Sequence, residues 1–162
     1  MFGFVKKQKL VKDDLKGRAR LMYEDVSKDP WDQENLTKRN LDYSLESLRI
    51  VDAYIMRLKN REYDSDLLYD HFQNFVSRIG AYTGEVIKRR LDRDFQWYEA
   101  QSVIRHTSNH AVKGLERESE TVLYSKAMDE VISPLSTVSQ FLKGDSYYKS
   151  LLAFVEDMVN GR

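Results

Sequence analysis

Two histidines, His106 and His110, stand four positions apart. On a helix that spacing sets both imidazoles on one face, where a metal ion could bind. The residues around them read as a strand passing into a loop, where positions i and i+4 need not converge. Thr107 stands where a His-Glu-x-x-His motif has its glutamate. Surface or hydrogen-bonding roles are therefore favoured for this pair, and His71 reads as a solvent-facing residue near the start of a helix. The other candidate for acid–base work is Glu85, the last residue of Gly80-Ala81-Tyr82-Thr83-Gly84-Glu85, with Arg89 one turn beyond. A glutamate beside a ligand or partner loop seated over the two glycines would be a partly buried acceptor or a base of raised pKa. An ion pair or a hydrogen bond to a neighbouring strand is the simpler expectation.

Other chemistries lack their residues. The chain has no cysteine, which excludes disulfides, thiolate metal sites and a cysteine nucleophile. No Gly-x-Ser-x-Gly elbow, Gly-x-Gly-x-x-Gly turn or phosphate-binding loop occurs. The carboxylates at Asp13-Asp14 and at Glu116, Glu118 and Glu120 have no apolar flanks to shift a pKa and read as solvated charge. Neither a metal nor a cofactor is expected.

The glycine pair needs a positioning reason of its own. Glycine in a helix interior costs about 1 kcal/mol relative to alanine, yet Gly80 and Gly84 share a face of one long amphipathic helix. Another backbone packing closely there is the expected cause, with a joint between a helical hairpin and the sheet that follows as the specific reading. That hairpin is written in Leu41, Leu45, Leu48, Val51, Ile55 and Leu58, then Leu68, Phe72, Phe75, Ile79 and Val86, at helical spacing. Asp42 or Ser44 is available to cap its first helix. Residues 60–64 make the short connection, which predicts antiparallel helices.

Upstream, Val11, Leu15, Ala19, Met22 and Val26 predict a helix ending before Pro30. Downstream, Asp92-Arg93-Asp94 reads as a turn, Phe95 to Tyr98 as a strand, residues 101–107 as a second strand or its continuation, and Thr121 to Tyr124 as another. Ser133-Pro134 starts a helix that stops at Gly144. A last helix is expected from about Ser146. The predicted class is α+β, an antiparallel helical hairpin packed on a small antiparallel sheet with two C-terminal helices and a separate N-terminal helix. The organisation is a basic arm and helix over 1–40 and one domain over 41–162.

Composition narrows the function classes. The 162 residues are 41% hydrophobic and 12% aromatic, with 26 basic and 26 acidic side chains, values of a globular chain. Zero net charge argues against a nucleic-acid binder. Residues 1–20 nonetheless carry seven basic side chains and two acidic ones, a net of +5, and the remainder sums to −5. Phe2, Phe4 and Val5 precede those charges, so the arm could rest on an anionic membrane or on an acidic surface. The apolar run is marginal as a lipid anchor, which favours docking or self-association. No run reaches the ~18–20 apolar residues of a membrane span, and the N-terminus lacks the order of a secretory signal. A cytoplasmic protein is expected.

The segments Leu41-Asp42-Tyr43-Ser44-Leu45-Glu46-Ser47-Leu48, Gly80 to Ile87, Trp97, and Pro134-Leu135-Ser136-Thr137-Val138 together resemble a loose group of small uncharacterised bacterial α+β proteins. In that group a Gly-Ala-Tyr-x-Gly-Glu helix runs into a tryptophan-bearing strand and a proline-started helix closes the fold. The resemblance covers roughly residues 41–155. It implies the fold and transfers no catalytic residue. The group reaches its tryptophan through a glycine-rich turn, where this chain has Asp92-Arg93-Asp94-Phe95-Gln96.

The function expected from these residues is non-enzymatic: binding to another protein, or to a second copy as a homodimer, in an immunity-like, regulatory or accessory role. Phe2, Phe4, Trp97, Tyr98, Tyr147 and Tyr148 are the interface candidates. Gly80, Tyr82, Gly84 and Glu85 form the packing or binding motif. Two other readings stay open here. One is a small hydrolase or metal-dependent enzyme using Glu85 with Tyr82, Arg89, His106 or His110. The other is a peripheral membrane protein held by the basic arm.

Overall fold

The computed structural model describes residues 8–60, 62, 66–109 and 120–161. Among them are eight helices and a three-stranded antiparallel sheet, an α+β fold. The chain divides into two compact units. One joins residues 8–14 to Arg93–Ser133, and the other joins Leu15–Asp92 to Pro134–Arg162.

The larger unit is helical. Helix α1 spans Lys16–Glu24 and buries Ala19 and Met22. The first helix ends at Glu24, short of the stop expected at residues 27–30, and Pro30 instead begins α2, Pro30–Asn35. Proline is preformed for the first helical position, and the Asp29 carboxylate accepts from Trp31 N at 2.9 Å and Asp32 N at 3.2 Å. Helix α3 covers Ser47–Lys59 and buries Leu48, Val51, Tyr54, Ile55 and Leu58. It starts later than the apolar spacing predicts, because residues 41–46 turn instead. Tyr43 there has φ of 65°, and Ser44 Oγ accepts from Ser47 N at 3.1 Å. After the short α4, Leu67–Asp70, comes α5, Phe72–Arg90.

Every residue of α5 from Ile79 to Ile87 is buried. A helix buried on all sides is a central element, and α5 packs against α1, against α7 (Pro134–Lys143) and against α8 (Leu151–Asn160). Its end carries Lys88, Arg89 and Arg90, cations that favour the negative end of the helix dipole. Gly144 stops α7 with φ of 82°. The last helix begins at Leu151 rather than near Ser146. Two side chains hold that start. Ser150 Oγ accepts from Ala153 N at 3.0 Å, and Asp52 of α3 accepts from Leu151 N at 2.7 Å and Leu152 N at 3.3 Å.

The smaller unit holds β1 (Gln96–Glu99), β2 (Thr121–Ser125) and β3 (Glu130–Ile132) in the order β1-β2-β3. Trp97 faces Leu123 across the first pair, and Leu123 faces Ile132 across the second. Residues 101–107 do not form a strand. Ala100–His106 is helix α6, and its Ala100 and Val103 join Tyr98, Val122 and Tyr124 in one apolar cluster. Val103 and Ile104 favour strands in isolation, and the burial of one helical face overrides that preference. Val11 is likewise not helical. Residues 11–13 run antiparallel beside β1, with Glu99 N donating to Val11 O at 2.9 Å and Asp13 N to Trp97 O at 3.2 Å.

Candidate functional site

The glycine motif lies at the centre of α5. A Cβ at position 80 would fall 2.7 Å from Leu135 Cγ and 2.9 Å from Leu135 Cα, so glycine is required by the close approach of α7. The joint expected with the following sheet is, at Gly80, a joint with a helix. Ser133-Pro134 sets Leu135 in the first turn of α7, where its backbone as well as its side chain meets α5. Gly84 is buried. Thr83, between the glycines, turns its hydroxyl back to Ile79 O at 2.8 Å.

Tyr82 is fully buried, and its hydroxyl is engaged twice. It accepts from Tyr43 N at 2.9 Å and shares a hydrogen bond with Ser47 Oγ at 2.7 Å. Its ring stacks on Tyr43, with centroids 4.7 Å apart and planes 22° from parallel. The Arg89 guanidinium covers the Tyr43 ring at 3.6 Å, and the Tyr43 and Tyr23 hydroxyls lie 3.2 Å apart. Burial pushes the Tyr82 phenol up to about 12 and raises that of Tyr43 further. Neither ionises near neutral pH. Tyr82 and Arg89 thus hold Tyr43 in a left-handed conformation and offset the backbone strain a non-glycine residue has there.

Glu85 is 4% exposed and its carboxylate meets Lys88 Nζ at 3.2 Å, one turn on. This is an ion pair within α5 itself. A general base must reach a reacting proton within hydrogen-bond distance. Glu85 instead lies in the packed centre of the helical unit.

His106 ends α6, and its Nδ1–H donates to Gln8 O at 2.7 Å while its ring meets Tyr124 edge-on at 6.1 Å. The hydrogen-bonding role is the one observed. His110 lies outside the described residues, as do Phe2, Phe4, Glu116 and Glu118. Among the described residues no three histidine or carboxylate side chains are grouped to hold a metal ion, and no helix is long and apolar enough to cross a membrane.

A cleft of about 310 Å³ in the helical unit brings together residues that periodicity does not connect. Leu21, Val26, Leu36 and Phe75 give it an apolar wall, and Arg78, Asp25 and Asp32 are its charged groups. Arg78 Nη2 meets Asp25 Oδ2 at 2.6 Å and Nη1 donates to Asp25 O at 3.1 Å. The buried Asp32 carboxylate accepts from Ser27 Oγ at 2.6 Å. Burial raises the Tyr54 phenol, and the Asp32 charge adds to that shift. The Arg78–Asp25 and Ser27–Asp32 contacts make the cleft a braced joint of α1, α2, α3 and α5. Arg78 and Asp25 are 53 positions apart, and no local spacing announces such a pair.

The aromatic candidates separate cleanly. Trp97 and Tyr98 are 2% and 3% exposed, so these two are core side chains and offer no ring to a partner. Tyr147, between α7 and α8, is 90% exposed. Its ring stands edge-on to Tyr148 at 5.2 Å. Tyr148 is fixed in turn by its hydroxyl, which donates to Asp157 Oδ2 at 2.6 Å, and by the Phe154 ring at 5.3 Å. Tyr69 on α4 is 86% exposed.

Comparison with known proteins finds no matching family model, no matching curated protein and no matching solved structure. The site therefore rests on this geometry.

Proposed function

We propose that the protein works without catalysis of its own, by binding another protein through the surface centred on Tyr147. The carrying observation is the arrangement of that side chain, a ring 90% exposed that stands edge-on to Tyr148, which is itself held by Asp157 and Phe154. Tyrosine anchors dominate many interfaces because a large amphipathic ring loses little rotamer freedom on binding. Bracing before contact lowers that loss further. The motif residues support the same reading from the other side, since Tyr82 and Glu85 are committed to internal partners. An immunity-like, regulatory or accessory role suits such a protein.

The test compares the full chain with its Tyr147→Ala variant as bait in extracts of the cells that make it. Loss of an anchor of this kind weakens binding by about 2 kcal/mol, or about 30-fold. A specific partner depleted to that extent is the expected result. A partner retained equally by both baits would overturn the reading. A hydrolytic activity abolished by Glu85→Gln in a variant of unchanged stability would favour the enzyme reading instead.

A further inference from the structure

In the sheet unit, three cations surround one groove, and none has an ion-pair partner among the described residues. Lys9, Lys12 and Lys126 line a hollow of about 790 Å³ together with His106. Among the described residues, no ion pair engages any of the three lysines. The nearby Asp13 carboxylate is held by Thr121 Oγ1 at 2.5 Å, and His106 is occupied by Gln8 O. The lining between the charges is apolar, from Leu10, Tyr98 and Val11, and Val11 is 40% exposed.

Among the described residues, the backbone beside this groove is an unpaired sheet edge. Residues 11 and 13 supply the hydrogen bonds to β1, so Lys12 faces Tyr98 as a pair without bonds of its own. The Lys12 N–H and C=O therefore point away from β1, and among the described residues neither has a partner. An unpaired edge accepts an added strand, with main-chain bonds supplying affinity and alternate side chains specificity. Lysines on such an edge repel a second copy of the same edge. They attract a strand of opposite charge.

We propose that this edge and groove bind an acidic, extended segment of a partner protein, carboxylates alternating with apolar side chains. The strand would pair with Lys12, its carboxylates would meet Lys12 and Lys126 on one face, and its apolar residues would cover Val11 on the other. This inference rests on the reading that the protein acts by binding another protein, and it names what part of that partner the sheet unit takes.

The probe is an N-acetylated, C-amidated peptide of alternating glutamate and valine, about eight residues long, titrated into the full chain and followed by backbone amide NMR. The expected result is a shift and slowed exchange of the Lys12 amide. Affinity should be at least about tenfold higher than for the same peptide with threonine in place of glutamate, and should fall as salt rises. Lys12→Glu with Lys126→Glu should remove at least about tenfold of that affinity. Both side chains are exposed, and the single Lys126→Gln variant serves as a milder second measurement. Equal affinity for the two peptides, or an unmoved Lys12 amide, would overturn the proposal. So would tighter binding to single-stranded oligonucleotide or phosphatidylserine vesicles, or self-association through this edge. If the peptide fails while Tyr147→Ala still loses a natural partner, the edge proposal falls and the Tyr147 surface stands. If the peptide binds and no partner depends on Tyr147, the reverse holds.

Discussion

Gly80 of α5 lies against Leu135 of α7 so closely that a methyl group at position 80 would sit 2.8 Å from Leu135 Cδ1 and 2.9 Å from Leu135 Cα. A rotamer change can move Cδ1, but Cα moves only with the α7 backbone. Gly80→Ala gains about 1 kcal/mol in helix propensity and meets an overpacking penalty of about 1–3 kcal/mol or more. The second effect wins, because the obstacle includes backbone. Chemical denaturation should show a net loss of about 1–2 kcal/mol. A stabilised variant would mean that the two helices can part without penalty.

Tyr82→Phe keeps the ring and removes the acceptor for Tyr43 N and the partner of Ser47 Oγ. A buried donor left without a partner costs about 1–3 kcal/mol. The loss should be largest locally, so hydrogen exchange at the Tyr43 amide is expected to accelerate more than exchange at the centre of α3. Uniform acceleration would place the effect in global stability instead of in the left-handed turn.

Asp52 makes stability depend on pH in a known direction. Burial raises its pKa above 3.8, and the bonds from Leu151 N and Leu152 N oppose that only in part. A raised folded-state pKa means its contribution is complete below the unfolded value and is lost as pH rises through the folded one. Asp94 has the opposite sign. Ser125 and nearby amides lower its pKa, so its contribution is present above the unfolded value and lost as pH falls. Comparing wild type with Asp52→Asn cancels Asp94. In urea unfolding at pH steps upward from about 3.8, the stability difference between wild type and variant should shift against wild type. A shift in its favour would contradict the assignment.

Asp25→Ala should destabilise the helical unit without touching Tyr147. The Arg78 guanidinium would lose a carboxylate at 2.6 Å, and its Nε is already buried with no hydrogen-bond partner among the described residues. The Asp25 side chain is 65% exposed, so solvent screens the pair and the expected loss is about 1 kcal/mol or less. Differential scanning calorimetry of the variant reads it directly.

Much of the helical framework was legible because its signals are local. The spacing of Leu48, Val51, Ile55 and Leu58 marks α3, and Ser133-Pro134 with Gly144 brackets α7. Gly80 announced that something approaches, but two glycines cannot say whether the neighbour is a strand or a helix. Val103 and Ile104 misread as strand because their β-branched side chains are ordinary there, and only the packing of Ala100 and Val103 onto β1 and β2 decides for helix. Val11 has the spacing of an α1 residue and pairs with Glu99, far along the chain. The cleft at Arg78 and the capping of α8 by Asp52 join residues 53 and about 100 positions apart, beyond any local pattern. Trp97 and Tyr98 show the same limit, since an aromatic suited to an interface is equally suited to a core.

Protein binding at Tyr147 is tested most directly by site-specific photocrosslinking, with a benzoylphenylalanine placed at position 147 and, in a separate sample, at the buried position Phe154. The expected result is one discrete protein adduct from position 147, none from 154, and competition of the adduct by wild-type protein but not by Tyr147→Ala. Adducts that Tyr147→Ala competes as well as wild type does, or no adduct at all, would contradict it.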